Sequence, residues 1–313
     1  MSKQIIAYHF VSEPLNNSIK LFKKISSLNG IVCFDFEDSL MNINSNSFLK
    51  TLKNQRRAKV SKFFKSNKEK ISEIKFGIRI NETTTKDYND DLTFIDTVNK
   101  SIKFHSIFLP KIKNSDTINY TEEQLAKYNV SYKELIPIIE SKEGMDNIGE
   151  IISGAKNKFN KLAFGHCDYN LDNSLFPFHH QNSKIYWQWV NTICKALKKE
   201  NKMLINSPFL FLDDDEMFNK ILNRLINKDV SFGQITMCLR QTELCKNFNN
   251  NFMHDFDFKN GYDNIEDIKE YAREIISNFK KHKFTDKSFA VDYERVLISP
   301  HEYLAAIKYL GRN

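Results

Sequence analysis

The sequence predicts an α/β chain folded as a (β/α)8 TIM barrel with a C-terminal helical extension, and three observations predict it. Apolar runs of strand length recur eight times. The stretches between them carry apolar residues at steps of three and four, the spacing of an amphipathic helix. Strands alternating with such helices imply a parallel sheet with right-handed crossovers, and eight units in about 240 residues is the size of a closed barrel.

The runs are IIAYHF (5–10), IVCFDF (31–36), FGIRI (76–80), SIFLP (106–110), LIPII (135–139), KLAFG (161–165), MLIN (203–206) and ITMCL (235–239), with SFLKTLKNQRRAKVSKFF and IYWQWVNTICKALKK among the helical stretches between them. Residues 1–246 form the predicted barrel. Residues 247–263 are polar, rich in Asn and without period, which reads as a linker. Residues 264–313 form a C-terminal helical segment: IEDIKEYAREIISNFKK reads as an amphipathic helix, SFAVDYERVLIS as extended chain, and PHEYLAAIKYL as a helix with Pro300 at its start.

A chain of 313 residues with 41% apolar and 13% aromatic side chains has ample material for a core. No apolar run approaches the ~18 residues that span a bilayer, and MSKQIIAYHF has no cleavage pattern behind it, so the expectation is a cytoplasmic protein without a membrane partner. The five cysteines, Cys33, Cys167, Cys194, Cys238 and Cys245, include no C-x-x-C pair, which argues against a disulfide framework or a zinc ribbon. The net charge of +7 comes from scattered lysines with no basic stripe, so a nucleic-acid partner is not expected. The densest basic cluster, QRRAK at 55–59, reads as a solvated helix face, with a bound anion as the sharper alternative.

The most informative stretch is 136–172, IPIIESKEGMDNIGEIISGAKNKFNKLAFGHCDYNLD. Two apolar runs end at Glu140 and Asp168, and Met145, Ile148, Ile151 and Ile152 recur at helical spacing between them. This is a βαβ unit, with both carboxylates at the carboxyl end of neighbouring parallel strands, where barrel sites are built. Two oxygen ligands there, completed by water and substrate, suit Mg²⁺ better than a softer metal. The plain alternative is that both are helix N-caps or solvated loop residues. Other strand ends add Asp35, Glu37 and Asp38, then Arg79 and Asn81, then Pro110 and Lys111, then His166. An arginine within such a ring suits a planar carboxylate or an oxyanion, and its plain role is an ion pair with Glu37.

FDFEDSL, IRIN, IFLPKI, IPIIES and LAFGHCD, followed by AREIISNFKKHKFTDKSFAVDYERVLISP, resemble in order and spacing the motifs of the citrate lyase beta-subunit-like family. That group of Mg²⁺-dependent carbon-carbon lyases includes malyl-CoA lyases and, more distantly, HpcH/HpaI aldolases. The resemblance implies a homotrimer or hexamer whose C-terminal segment lies over a neighbouring subunit's site. It implies Glu140 and Asp168 as ligands of Mg²⁺, with Mn²⁺ as a substitute. Arg79 would hold a 2-oxo acid and steady its oxyanion. Glu37 and Asp38 would orient Arg79 and the metal's waters and complete the catalytic set. Gly165, His166 and Lys111 would line the substrate.

The chain departs from that pattern in two places. Around strand eight the family's Gly-Lys and Ile-His-Pro-x-Gln read GQITMCLRQ, with Gln234 for lysine and Leu239 and Arg240 for His-Pro. In the C-terminal signature Ile298 stands where thioester-processing members carry an aspartate. The metal and oxo-acid half of the site is therefore expected intact, and the CoA thioester half altered. The function expected is a Mg²⁺-dependent lyase or aldolase acting next to a 2-oxo or 2-hydroxy carboxylate. The competing readings are an acyl-CoA or acyl-carrier thioester lyase subunit and a catalytically reduced relative that binds an oxo acid or a partner protein. With Ile298 unable to move a proton, Asp38, His166, Lys111 or a metal-bound water must do so.

Overall fold

A computed structural model of the chain describes residues 5–11, 18–37, 46–155, 157–249, 258, 264–281, 289–292 and 294–311, those at 46–49 by backbone alone. Eight parallel strands close into one barrel in sequence order. They are β1 (Ile6–Val11), β2 (Ile31–Asp35), β3 (Phe76–Arg79), β4 (Phe104–Leu109), β5 (Tyr132–Ile139), β6 (Lys161–Phe164), β7 (Met203–Asn206) and β8 (Phe232–Thr236). Around them run α1 (Ser18–Ser27), α2 (Asn46–Asn67), α3 (Lys86–Asn99), α4 (Ser115–Lys127), α5 (Lys142–Asp146), α6 (Ile148–Gly154), α7 (His166–Asp172), α8 (Lys184–Lys199), α9 (Asp215–Ile226) and α10 (Leu239–Asn247). The (β/α)8 fold is as the periodicity predicts. No helix among the described residues is long and apolar enough to cross a membrane.

Strand eight is the exception in placement. It covers 232–236, three residues before the apolar run ITMCL, whose second half turns away and leads into α10. The reason is Gly233, paired with Ile6 of β1. A Cβ there would lie 2.9 Å from Ile205 Cδ1 and 3.0 Å from the Ile6 carbonyl oxygen, so the barrel closes only over a residue without a side chain.

Of the linker, residues 250–257 and 259–263 lie outside the described residues. Beyond it come α11 (Ile265–Lys281), the strands β9 (Ala290–Val291) and β10 (Leu297–Ile298), and α12 (Pro300–Leu310). The extended stretch folds into a short antiparallel pair, with Leu297 opposite Val291. Ser299 caps α12 by accepting from the Glu302 amide at 3.1 Å, and Pro300 opens it. Ala272, Ile275 and Phe279 of α11 pack with Ile298, Tyr303 and Ala306, so the C-terminal segment has an apolar cluster of its own.

A polar cluster closes the amino end of the barrel's interior. The Tyr8 hydroxyl donates to Glu134 Oε1 at 2.8 Å and the Ser106 hydroxyl donates to it at 2.6 Å. Lys161 Nζ pairs with Glu134 Oε2 and donates to the Tyr8 oxygen at 2.8 Å, and His105 Nδ1 lies 3.4 Å from Glu134 Oε1. Burial alone would raise the Glu134 carboxyl, but hydrogen bonds from His105, Lys161 and Ser106 outweigh it and hold the group at about 2 against an ordinary 4.5. A depressed carboxyl contributes stability that is complete above its unfolded value and is lost as pH falls toward the folded one. Glu134→Gln is expected to cost about 2–4 kcal/mol at pH 7 in urea unfolding. The gap between the two proteins should narrow as the pH is lowered from 5 to 3. An equal gap at both pH values would show that the charge of Glu134 is not what stabilises the floor.

Candidate functional site

At the opposite, carboxyl end, β5 and β6 pair with Ile139 level with Phe164, so the next residues, Glu140 and Gly165, leave the sheet side by side. A Cβ on Gly165 would fall 2.8 Å from the Glu140 Cβ and closer still to its Oε2, so Glu140 occupies the space a side chain at 165 would take. Neither carboxylate is a helix cap. Ser141 caps α5 and Gly165 precedes α7, while Asp168 lies in the first turn of α7 rather than at the tip of its strand. Glu140 is only 2% exposed. Burial first, then Asp168 and Glu37, push its carboxyl well above the ordinary range, against the opposing pull of Arg79 and Lys111.

Lys111 ties these acids together. Its backbone sits in the left-handed region with φ of 53°, an uncommon conformation for a residue with a side chain. Its amide donates to Glu140 Oε1 at 2.6 Å. Its ammonium lies 2.9 Å from Glu37 Oε1 and 3.9 Å from Asp168 Oδ1. Arg79 stands opposite, with Nε and Nη2 donating to the two oxygens of Asp35 at 2.8 and 2.6 Å, and Nη1 3.1 Å from Glu37 Oε2. The ion pair with Glu37 is thus present, but the two-bonded partner is Asp35, level with Arg79 across β2 and β3. An acid meeting this arginine would use the Nη1/Nη2 edge. Asp38 lies outside the described residues.

Behind this layer the QRRAK cluster differs from a solvated face. Arg56 and Arg57 are buried. Arg56 donates to the Asp35 carbonyl at 2.8 Å. Arg57 donates to Asp91 Oδ1 at 2.7 Å and to Asn54 at 2.8 Å and pairs with Asp87. The other Asp91 oxygen accepts from the amide and side chain of Asn81, both at 2.7 Å, and Asn81 donates to the Phe36 carbonyl at 3.0 Å. Burial raises Asp91 to about 6 even though Arg57 and Asn81 pull it down. Helical spacing alone did not show this, because the acids that pair with α2 come from α3, some thirty residues on.

The C-terminal segment brings in a residue that no motif or spacing singled out. His301, at the start of α12, places Nε2 3.1 Å from Asp168 Oδ1 of the same chain. The next residue, Glu302, accepts from the Tyr271 hydroxyl at 2.8 Å and lies 3.5 Å from His180 Nε2. His180 in turn meets His166 Nε2 at 3.0 Å. His166 is fully buried, its ring against Tyr186 and His180, and burial, His180 and His301 push it well below its ordinary value. Ile298 packs under α11 and α12.

Gln234 and Arg240, at departed positions, and Gln241, which matches the family pattern, are satisfied structural groups. Gln234 is buried, donates to the carbonyls of Ser207 and Ile235 at 2.8 Å, and accepts from Asn206 at 2.8 Å. Arg240 points away to Asp215, with Nε at 2.7 Å. Gln241 holds the Met237 amide at 2.9 Å and the Phe209 carbonyl at 3.0 Å.

Mg²⁺ fits the donor set. Glu140, Asp168 and Glu37 offer oxygen only, and a buried carboxylate repelled by two others is what a hard divalent cation compensates. Among the described residues no group of three or more His, Cys, Asp or Glu side chains forms a ready-made metal cage. Water and substrate would complete the coordination of a two-carboxylate site.

Fold and site together define a (β/α)8 barrel protein with a carboxylate and arginine site at the carboxyl mouth. The chain belongs to the HpcH/HpaI aldolase/citrate lyase family, whose model matches residues 25–214. No curated protein sequence matched it. Among solved structures it is similar to protein CitE of Mycobacterium tuberculosis in complex with magnesium and pyruvate, with 15% identity, a TM-score of 0.59, and coverage of 80% of this chain and 93% of that one. RipC of Yersinia pestis gives 15% identity and a TM-score of 0.56 over 79% and 96%. The M. tuberculosis CitE complex with magnesium, acetoacetate and coenzyme A gives 13% identity and a TM-score of 0.52 over 100% and 99%. At these identities the likeness concerns the fold.

The support behind the mouth is testable by stability. Arg57→Leu leaves Asp91 buried without its guanidinium and is expected to cost about 3–5 kcal/mol in denaturant unfolding at pH 7. A loss below about 0.5 kcal/mol, as for a change on an ordinary solvated face, would show that the α2–α3 ion pairs do not hold the strand ends.

Proposed function

We propose that the chain is a Mg²⁺-dependent carbon-carbon lyase or aldolase acting next to a 2-oxo or 2-hydroxy carboxylate. The observation that carries this reading is the meeting of Glu140, Asp168, Arg79 and Lys111 at one mouth. Breaking or making a bond beside a 2-oxo acid puts negative charge on an enolate oxygen and on the carboxylate, so fixed positive charge must wait for both. In this reading Glu140 and Asp168 hold Mg²⁺, which when bound supplies a Lewis acid for the oxo acid's oxygens. The magnesium and pyruvate named for M. tuberculosis CitE are in keeping with this.

The chain's own residues do the rest. Arg79, braced by Asp35 and Glu37, presents its Nη1/Nη2 edge to the carboxylate. Lys111 spans Glu37 and Asp168 and keeps both acids turned inward. Gly165 leaves room for Glu140 and for a flat acid above it, and His166 supports the floor of that space through His180. Asp38 is our candidate for the proton transfer. The satisfied amide of Gln234 and the buried Ile298 favour an oxo-acid substrate over a CoA thioester, because neither can give or take a proton at its departed position and Arg240 turns away to Asp215.

Thermal unfolding with Mg²⁺ and glyoxylate, pyruvate or oxaloacetate tests the reading. A ligand at ~100 times its dissociation constant stabilises the folded state by ~2.7 kcal/mol. The wild type should show a shift with Mg²⁺ plus oxo acid, and Asp168→Asn should lose both the shift and metal-dependent turnover while its unliganded melting stays within a few degrees. No response of the wild type to any acid with Mg²⁺ would defeat the proposal. Arg79→Lys should fail to restore turnover, since an ammonium cannot make the two parallel bonds. Wild-type turnover by that variant would make Arg79 a structural partner of Asp35 and nothing more.

A further inference from the structure

Beside the mouth, between the loop that joins α7 to α8, the end of β7, α11 and the β9–β10 pair, lies a cavity of about 1260 Å³. It adjoins the acid site closely. On α12, His301 turns to Asp168 while its neighbour Glu302 turns to the cavity wall, and His180 links that wall to His166.

Among the described residues the charge of the wall is one-sided. Asp267, Glu270, Glu274, Asp292 and Glu294 line it, and none of these carboxylates makes an ion pair with a described residue. The described basic groups on the wall are Lys184, whose ammonium lies over the Phe258 ring, and two histidines, of which His179 is pushed below its ordinary value by burial and by His180. A second observation is independent of charge. Asn278 on α11 is only 8% exposed and lines the cavity, and its amide makes no hydrogen bond to any described residue. An amide that opens into a cavity from an otherwise buried residue is met by what occupies the cavity. Between the polar groups the wall is apolar and aromatic, with Phe178, Phe211, Tyr271 and Ile275.

We infer that this cavity binds an organic cation, an amine carried on an apolar body. The carboxylates attract the ammonium, the aromatic faces accept the body and add cation–π attraction, and Asn278 offers a carbonyl acceptor for an N–H. The same wall repels the phosphates of CoA. That this cation is the second reactant rests on the oxo-acid reading above. The preference of the cavity for a cation does not.

Calorimetric titration of the full chain, with Mg²⁺ present, tests this using 1,5-diaminopentane, CoA and pyruvate as separate probes. The diamine should bind saturably and more weakly as salt is raised, and CoA should not compete with it. The double variant Glu270→Gln, Glu274→Gln removes two exposed charges one helical turn apart without changing shape. It should bind the diamine about tenfold more weakly or worse while keeping the wild-type response to pyruvate. Absence of saturable diamine binding, an unchanged affinity in the double variant, or displacement of the diamine by CoA would each overturn the assignment. Diamine binding that survives alongside a failed pyruvate response would instead sink the oxo-acid reading and with it the cation's role as second reactant.

Discussion

A carboxylate removed from water must be compensated, and the mouth of this barrel is arranged around that requirement at Glu140. Even after a protein relaxes, the cost of burying such a group is several kcal/mol. Here the burial is enforced by the sheet, because β5 and β6 leave the barrel level with one another and Gly165 yields its side-chain space to Glu140. Compensation comes from Lys111, whose left-handed backbone aims its amide at Glu140 while its ammonium reaches Glu37 and Asp168. Two further acids next to Glu140 add repulsion rather than stability. In the proposed function they are the walls of a place for a cation.

The arrangement is held from behind. Asp35 and Glu37 fix Arg79, and Arg56 fixes the Asp35 carbonyl. Asp91 then ties Asn81, at the end of β3, to Arg57 on α2. Each layer restricts the one in front, so Arg79 enters any reaction already oriented and loses little freedom on meeting an acid. Positioned residues of this kind read in sequence as ordinary surface arginines and aspartates. Their partners lie on a different helix.

How much was legible follows the range of the interactions. The barrel was readable because eight buried parallel strands must be apolar over nearly their whole length. Glu140 and Arg79 were readable because a polar residue ending such a strand can sit only at the mouth, whereas Asp168 reaches it from the first turn of α7 and Lys111 from the turn after β4. Strand eight was placed three residues late because ITMCL is more apolar than FGQIT, and the fit of Gly233 between Ile6 and Ile205 decided the register. Asp35 stood in the motif, but its role as the two-bonded partner of Arg79 depends on the register of β2 and β3. The burial of Arg56 and Arg57 and the approach of His301 rest on contacts between distant segments, and local pattern carries no trace of them.

The seating of the C-terminal segment depends on the residue at position 298. An aspartate at position 298 would lie among Ala272, Ile275, Phe279 and Tyr303, where a charge has no partner and burial is costly. Isoleucine there instead lets α11, β10 and α12 close into one apolar cluster. That cluster seats α12 on the chain's own barrel, with His301 against Asp168 and Glu302 against His180. The packing of Ile298 and the approach of His301 to Asp168 are thus linked through α12. The chain thereby covers the Asp168 and His180 side of the site with its own C-terminal helix.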